Sequence, residues 1–298
     1  MRNHPLNEIF GYPYWNHSEL AQRHRKYRLC PHNNKVPNCT KDKANDPLGV
    51  CSISEGDNIA IVCPIRFHQD WVVVEDAATF FFPAGTKWTS LIEVRLNDRE
   101  GSSAGYIDVV LVAYDDQGHV TDFGALEIQA VYISGNIRRL FERYMENPIS
   151  SQNLEWNSPH QYYPRPDYLS SSRKRLVPQL IYKGRILKSW GKKQAVAIHT
   201  GFYQTLPKMT EVEPEEADVA WLVYDLVLDE KADIYRLRLQ RVTYTPFELA
   251  LDQITTPQPG PVEDFIGYLQ ERLDRVLSTS GDDQNPPDAP TLSNLLKL

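Results

Sequence analysis

The chain has 298 residues, 41% hydrophobic and 24% charged, enough for one sizeable core with a small annex. Its mean hydropathy is −0.47, and no apolar run approaches the roughly 18 residues of a membrane helix, so no membrane association is expected. The net charge of −7 excludes a uniformly basic, histone-like binder, yet residues 168–210 carry nine basic and no acidic side chains, while residues 211–298 carry seven and 18. That contrast leaves room for a phosphate-facing surface on an anionic protein. The start, MRNHPLNEIFGYPYW, has no apolar h-region, so secretion is not expected and a cytoplasmic location is.

Residues 1–66 read as loop-rich, broken by Pro31, Pro37, Pro47 and Pro64, with one helix over 18–29 capped by Ser18. All four cysteines, Cys30, Cys39, Cys51 and Cys63, fall in this segment. Disulfides are rare in a cytosolic chain, whereas four thiolates suit a tetrahedral metal that holds a polar stretch together. Zinc and iron both accept four sulfurs, so the ligand count does not choose between them. The spacings lack a C-x2-C knuckle, and buried free cysteines are the alternative.

In the next block, 86–98 reads as a helix, with Ser90-x-x-Glu93 resembling a capping box. Residues 105–114 read as a strand apolar on both faces and 123–133 as its hairpin partner. An amphipathic helix begins at Ile137, and a Pro-, Ser- and Tyr-rich ordered loop spans about 147–172. Strands are expected at 195–203, 219–228 and 234–244, and helices at about 246–254 and 261–277. Residues 279–298 read as a flexible tail. The fold class is therefore α/β, a mixed sheet flanked by helices, with a small N-terminal four-cysteine domain (1–66) and a core domain (67–278).

The informative feature is a carboxylate inside each of two neighbouring apolar strands. Asp108 stands among Ile107, Val109 and Val110, and Glu127 between Leu126 and Ile128, with Gln129 on the same face. Burying such groups costs several kcal/mol unless cations or donors compensate, and a divalent metal between them would do so. The alternative is an Asp at a strand end and a Glu on a solvated face. His199 reads as a strand residue rather than a catalyst.

Asp108…Glu127-Ile128-Gln129 resembles the PD-(D/E)xK nuclease signature, with Gln where lysine usually stands, and Glu93 matches the extra helical carboxylate many such nucleases use. With four cysteines upstream, the chain resembles the NotI-type restriction endonucleases, most closely over residues 20–145. The resemblance implies a type II enzyme that cuts double-stranded DNA at a GC-rich palindrome and leaves 5′-phosphate ends. Asp108 and Glu127 would hold Mg²⁺, Glu93 would anchor a second ion or a water, and Gln129 would orient the attacking water. It also implies a homodimer, a cognate methyltransferase in the same system, and iron or zinc on the cysteines.

The block 170–194 is the expected DNA surface, with Arg173, Lys174, Arg175, Lys183, Arg185, Lys188, Lys192 and Lys193 around Tyr182 and Trp190. Eight cations without acids among them must face phosphate, water or acids elsewhere in the fold. The rival functions are a metal-stabilised DNA-binding regulator without catalysis and a repair nuclease of the same fold.

Overall fold

A computed structural model describes residues 4–43, 45–56, 58–149, 163–257 and 259–279. These fall into two units, Met1–Thr255 and Thr256–Leu298.

The first unit is mixed α/β. Its N-terminal part is more regular than its prolines suggest. Strands β1 (Leu6–Ile9), β2 (Tyr12–Pro13), β5 (Val50–Glu55) and β6 (Asn58–Ile61) form an antiparallel sheet ordered β2-β1-β5-β6. Leu6, Ile9, Val50 and Ile53 on these strands are fully buried, so apolar burial overrides weak local propensity. Helix α1 (Glu19–Tyr27) starts as expected, with Ser18 Oγ accepting from Ala21 N. The small pair β3 (Asp42–Lys43) and β4 (Asp46–Pro47) follows it.

A buried charge pair ties this part to the rest. Glu8 on β1 accepts from Arg66 Nε at 3.0 Å and from Ser52 Oγ at 2.8 Å, and neither charged side chain is exposed. Arg66 also donates to Gln69 Oε1 and to the carbonyl of Tyr235. Burial pushes the Glu8 carboxyl up while Arg66 opposes it. Such a pair adds little net stability but strongly penalises removal of one partner.

Helix α2 (Val72–Phe81) lies in the stretch 67–85, to which the sequence analysis assigned no element. The main sheet comprises β7 (Trp88–Asn97), β8 (Ser103–Tyr114), β9 (Val120–Gln129), β12 (Gln194–His199), β13 (Val219–Asp229) and β14 (Ile234–Thr245), ordered β14-β13-β12-β9-β8-β7. The central pairs β9/β12 and β12/β13 are parallel and the outer pairs antiparallel. Between β9 and β12 the chain forms β10 (Tyr132–Ser134), α3 (Ile137–Glu146), β11 (Arg165–Asp167) and a helical run. Asn136 caps α3 by accepting from Arg139 N.

The helix expected over 86–98 is instead β7. Trp88, Ser90, Ile92, Val94 and Leu96 alternate with more exposed residues, a period of two that pairs with β8. Ser90 and Glu93 therefore form no capping box.

The sheet has two apolar faces. Val109, Leu111, Leu126, Ile128, Ala195, Ala197 and Leu222 pack with α2. Val196, Ile198 and Trp221 point the other way and share a core with α3, the helical run and the N-terminal sheet. The second unit contains the helix Val262–Thr279, whose Phe265, Ile266, Leu269 and Leu273 are exposed. All of the expected flexible tail but Thr279, and half of the loop over 147–172, lie outside the described residues.

Candidate active site

The helical run Tyr168–Ser189 crosses the second face of the sheet. It is α-helical at Tyr168–Ser171, Val177–Gln179 and Arg185–Ser189, and two π-helical turns, Ser172–Leu176 and Leu180–Gly184, interrupt it. Such turns reset which side chains face the sheet and are frequent at functional sites.

Because Leu126 and Ile128 point toward α2, alternation aims Glu127 and Gln129 at this run. Glu127 is 4% and Gln129 3% exposed. Asp108, half-buried on β8, falls opposite Glu127 in the register set by the Val109↔Leu126 pair. Asp108 Oδ2 accepts from Ile128 N at 2.7 Å. The structure thus brings Asp108, Glu127 and Gln129 together on one face.

Two side chains of the run complete the group. Gln129 Nε2 donates to Gln179 Oε1. Lys183 Nζ donates to Glu127 Oε2 at 2.6 Å and to the Tyr106 carbonyl at 2.8 Å. Glu127 Oε1 is buried and has no hydrogen-bond partner among the described residues. Burial is the largest influence on Glu127 and the charge of Asp108 the next; against the pull of Lys183 they push its carboxyl up to about 8. Burial also raises Asp108, opposed by the Ile128 amide and by Lys183.

Glu93 does not stand on a helix. It lies on β7 with φ of +55°, opposite Asp108 in the register on either side of it. A left-handed backbone at a non-glycine residue costs on the order of 1 kcal/mol or more and concentrates at functional sites. Its carboxylate is exposed and pairs with Lys35 Nζ at 2.6 Å, from the loop between Cys30 and Cys39. Lys35 stands in a polar loop, Asn33-Asn34-Lys35, where no sequence signal sets it apart.

The cationic block divides. Lys183 is 3% exposed and faces Glu127, so the expectation that it lies on the DNA surface does not hold. Lys188 pairs with Asp218 at 2.7 Å and Lys192 with Asp122 at 2.5 Å. Lys193 donates to the carbonyls of Phe80 and Pro214 and sits over the Phe80 ring. Arg173, Lys174, Arg175 and Arg185 are exposed and form no salt bridge among the described residues, Lys174 acting on Asp167 only at longer range. Arg175 lies 5.1 Å from the Tyr132 ring centroid.

All four cysteines are free thiols and line one small cavity together with His32 and Lys41. His32 Nε2 is buried there without a hydrogen-bond partner among the described residues. Burial pushes the Cys30 thiol up to about 12 and raises Cys39 and Cys51, with the neighbouring thiols adding to each. Among the described residues, no three His, Cys, Asp or Glu side chains are placed as a ready metal-ligand set. His199 ends β12, where its Nδ1 accepts from Gly201 N at 3.2 Å, and Nε2 lies 3.4 Å from Asp225.

These features coincide with a family match. The profile of the restriction endonuclease NotI family covers residues 15–237, from the cysteine segment through the carboxylate strands into β14. The chain belongs to the NotI restriction endonuclease family. It is accordingly a site-specific deoxyribonuclease that acts on double-stranded DNA. No curated protein matches the chain. No helix among the described residues is long and apolar enough to cross a membrane.

Proposed function

We propose that the chain is a Mg²⁺-dependent type II restriction endonuclease whose active site is Asp108, Glu127 and Gln129 in a PD-(D/E)xK arrangement. The observation that carries this reading is the buried, unpartnered Glu127 Oε1 beside the second carboxylate of Asp108. Two adjacent buried carboxylates are costly to ionise together, and a divalent cation is a partner that satisfies both. A cation held there would act as a Lewis acid toward the scissile phosphate. The chain's own residues do the rest. Ile128 N fixes the Asp108 carboxylate, Lys183 fixes Glu127, and the Gln129 amide, held by Gln179, is placed to orient a water. Glu93 enters this group once its ion pair with Lys35 opens.

Arg173, Lys174, Arg175 and Arg185 are the phosphate- and base-facing cations of this reading. Lys188, Lys192 and Lys193 serve mainly to hold the fold. A structural iron or zinc on the four thiols belongs to this reading: they line one cavity with His32, buried sulfurs become favourable thiolates only around a cation, and binding would have to draw them together, since as placed no three of them form a ready ligand set among the described residues. One active site per protomer favours a homodimer on a GC-rich palindrome, with one protomer cutting each strand and leaving a 5′-phosphate. A cognate methyltransferase would protect the host's own sites.

The test is plasmid digestion in Mg²⁺ and in EDTA. Discrete fragments in Mg²⁺ alone are expected, and sequencing their ends gives the site and the overhang. A smear would favour a repair nuclease, and uncut plasmid a DNA-binding regulator.

A further inference from the structure

The motif Glu127-Ile128-Gln129 supplies no cation of its own, yet the structure places a buried ammonium on Glu127. The salt bridge is almost dry, with side-chain exposures of 4% for Lys183 and 5% for Glu127. Its second hydrogen bond, to the Tyr106 carbonyl on β8, leaves the ammonium straddling the two strands that carry the carboxylates. The backbone beneath it is pinned. A Cβ on Gly184 would lie 2.5 Å from Phe247 Cε2, so the run seats on the helix Phe247–Thr255 as closely as glycine allows. The π turn Leu180–Gly184 rotates Lys183 inward, while Tyr182 and Arg185 on either side stay exposed.

We propose that Lys183 is a positioning residue of the nuclease site: its ammonium anchors Glu127 Oε2, leaves Oε1 for the metal, and supplies the positive charge that the strand motif lacks. This inference rests on the reading of Asp108 and Glu127 as the metal-holding pair. The fixed charges of the group set its consequences. Asp108, Glu127 and Lys183 together carry −1 when ionised, and removing the ammonium leaves −2. A more negative site attracts a divalent cation at least as well, but it meets the charge that builds on the phosphate with less compensation. Loss of Lys183 should therefore slow cleavage without weakening metal binding. Loss of a merely structural contact would lower stability and metal affinity together.

The experiment compares K183M, K183Q, K183R and D108N in the full chain, on a plasmid that the wild type linearises. K183Q can still donate to Glu127 and to the Tyr106 carbonyl, so it carries the test if K183M does not fold. At saturating Mg²⁺ the uncharged variants should cut at least roughly 100-fold more slowly, with the half-saturating Mg²⁺ concentration raised no more than about threefold. K183R, which keeps the charge, should regain at least about tenfold of the lost rate. Calorimetry on the DNA-free protein should show the uncharged variants binding Ca²⁺ at least as tightly as wild type. The proposal is overturned if the uncharged variants cut within about fivefold of wild type. It is equally overturned if added Mg²⁺ restores their rate, if K183R is no faster than they are, or if their Ca²⁺ binding is lost. D108N separates the two levels. If D108N is inactive while K183Q cuts normally, only the role of Lys183 falls. If D108N also cuts normally, the carboxylate site itself is misassigned.

Discussion

Replacing Asp108 by Asn should move activity and stability in opposite directions. The Asn carbonyl can still accept from Ile128 N, as Asp108 Oδ2 does at 2.7 Å, and its amide adds a donor beside the neighbouring Glu127 carboxyl. The charge of the trio with Lys183 changes from −1 to zero. The lift of Glu127 from 4.5 to about 8 corresponds to roughly 5 kcal/mol in all. Burial is the larger cause and Asp108 the second, so relieving the repulsion is worth on the order of 1–2 kcal/mol where both carboxylates are ionised. In EDTA at about pH 8.5, D108N should therefore melt a few degrees above wild type and bind target DNA at least as tightly. In Mg²⁺ it should cut at least roughly 10³-fold more slowly, equivalent to about 4 kcal/mol of lost transition-state stabilisation. The assays are thermal unfolding and single-turnover digestion on one preparation. Cutting within about tenfold of wild type, or a clear fall in melting temperature in EDTA, would refute the reasoning.

Removing the unpaired exposed cations with R173A/K174A/R175A should lower the log–log salt slope of DNA binding by up to about three, whereas K192A should change it little because Lys192 is occupied by Asp122. An equal slope change for both variants would place the DNA elsewhere. Purified protein should carry about one iron or zinc per chain, measured by elemental analysis, and C51S should lose it and melt earlier; a metal-free wild type of equal stability would contradict this. Burial lowers His199 from 6.5 to about 4, so between those values the unfolded chain binds a proton that the fold rejects. Stability should fall as pH drops through that window, by up to roughly 3 kcal/mol at its lower end. Asp225, itself raised by burial, works in the opposite sense at the acid end. H199N should flatten the difference between denaturation curves at pH 7 and pH 4.5, and an unchanged slope would show that His199 does not set it.

The sequence made the strands of the site legible because Asp108 and Glu127 interrupt otherwise apolar runs, a local contradiction that structure rarely tolerates without a use. The hairpin β13/β14, α1 with its Ser18 cap and α3 were equally readable from period and capping. At β7, Ser90-x-x-Glu93 mimics a capping box, while the alternation of Trp88, Ile92, Val94 and Leu96 in the same residues marks the strand. The N-terminal strands were hidden because each is only two to six residues long, too short to show a period, and because their stability comes from residues far away in sequence. The Glu8–Arg66 pair, 58 positions apart, is invisible to any window.

The cationic block shows most clearly how one sequence pattern can hide two environments. Charge counting treats Lys183 like its neighbours, and by count alone eight cations without acids belong on a surface. Yet Leu176, Leu180, Lys183 and Leu187 follow one another at intervals of four, three and four, and all four are buried. A lysine in register with three leucines on the inward stripe of a helix must find an anion or lose its charge. Among the described residues, the buried carboxylate its ammonium bonds is Glu127, at 2.6 Å. Arg173, Lys174, Arg175 and Arg185 lie off that stripe and remain exposed. The same run thus presents cations outward, where they can meet a phosphate backbone, and one cation inward, where it fixes a carboxylate of the proposed site. An element that touches both sets of partners would let contact with DNA bear directly on the placement of Glu127.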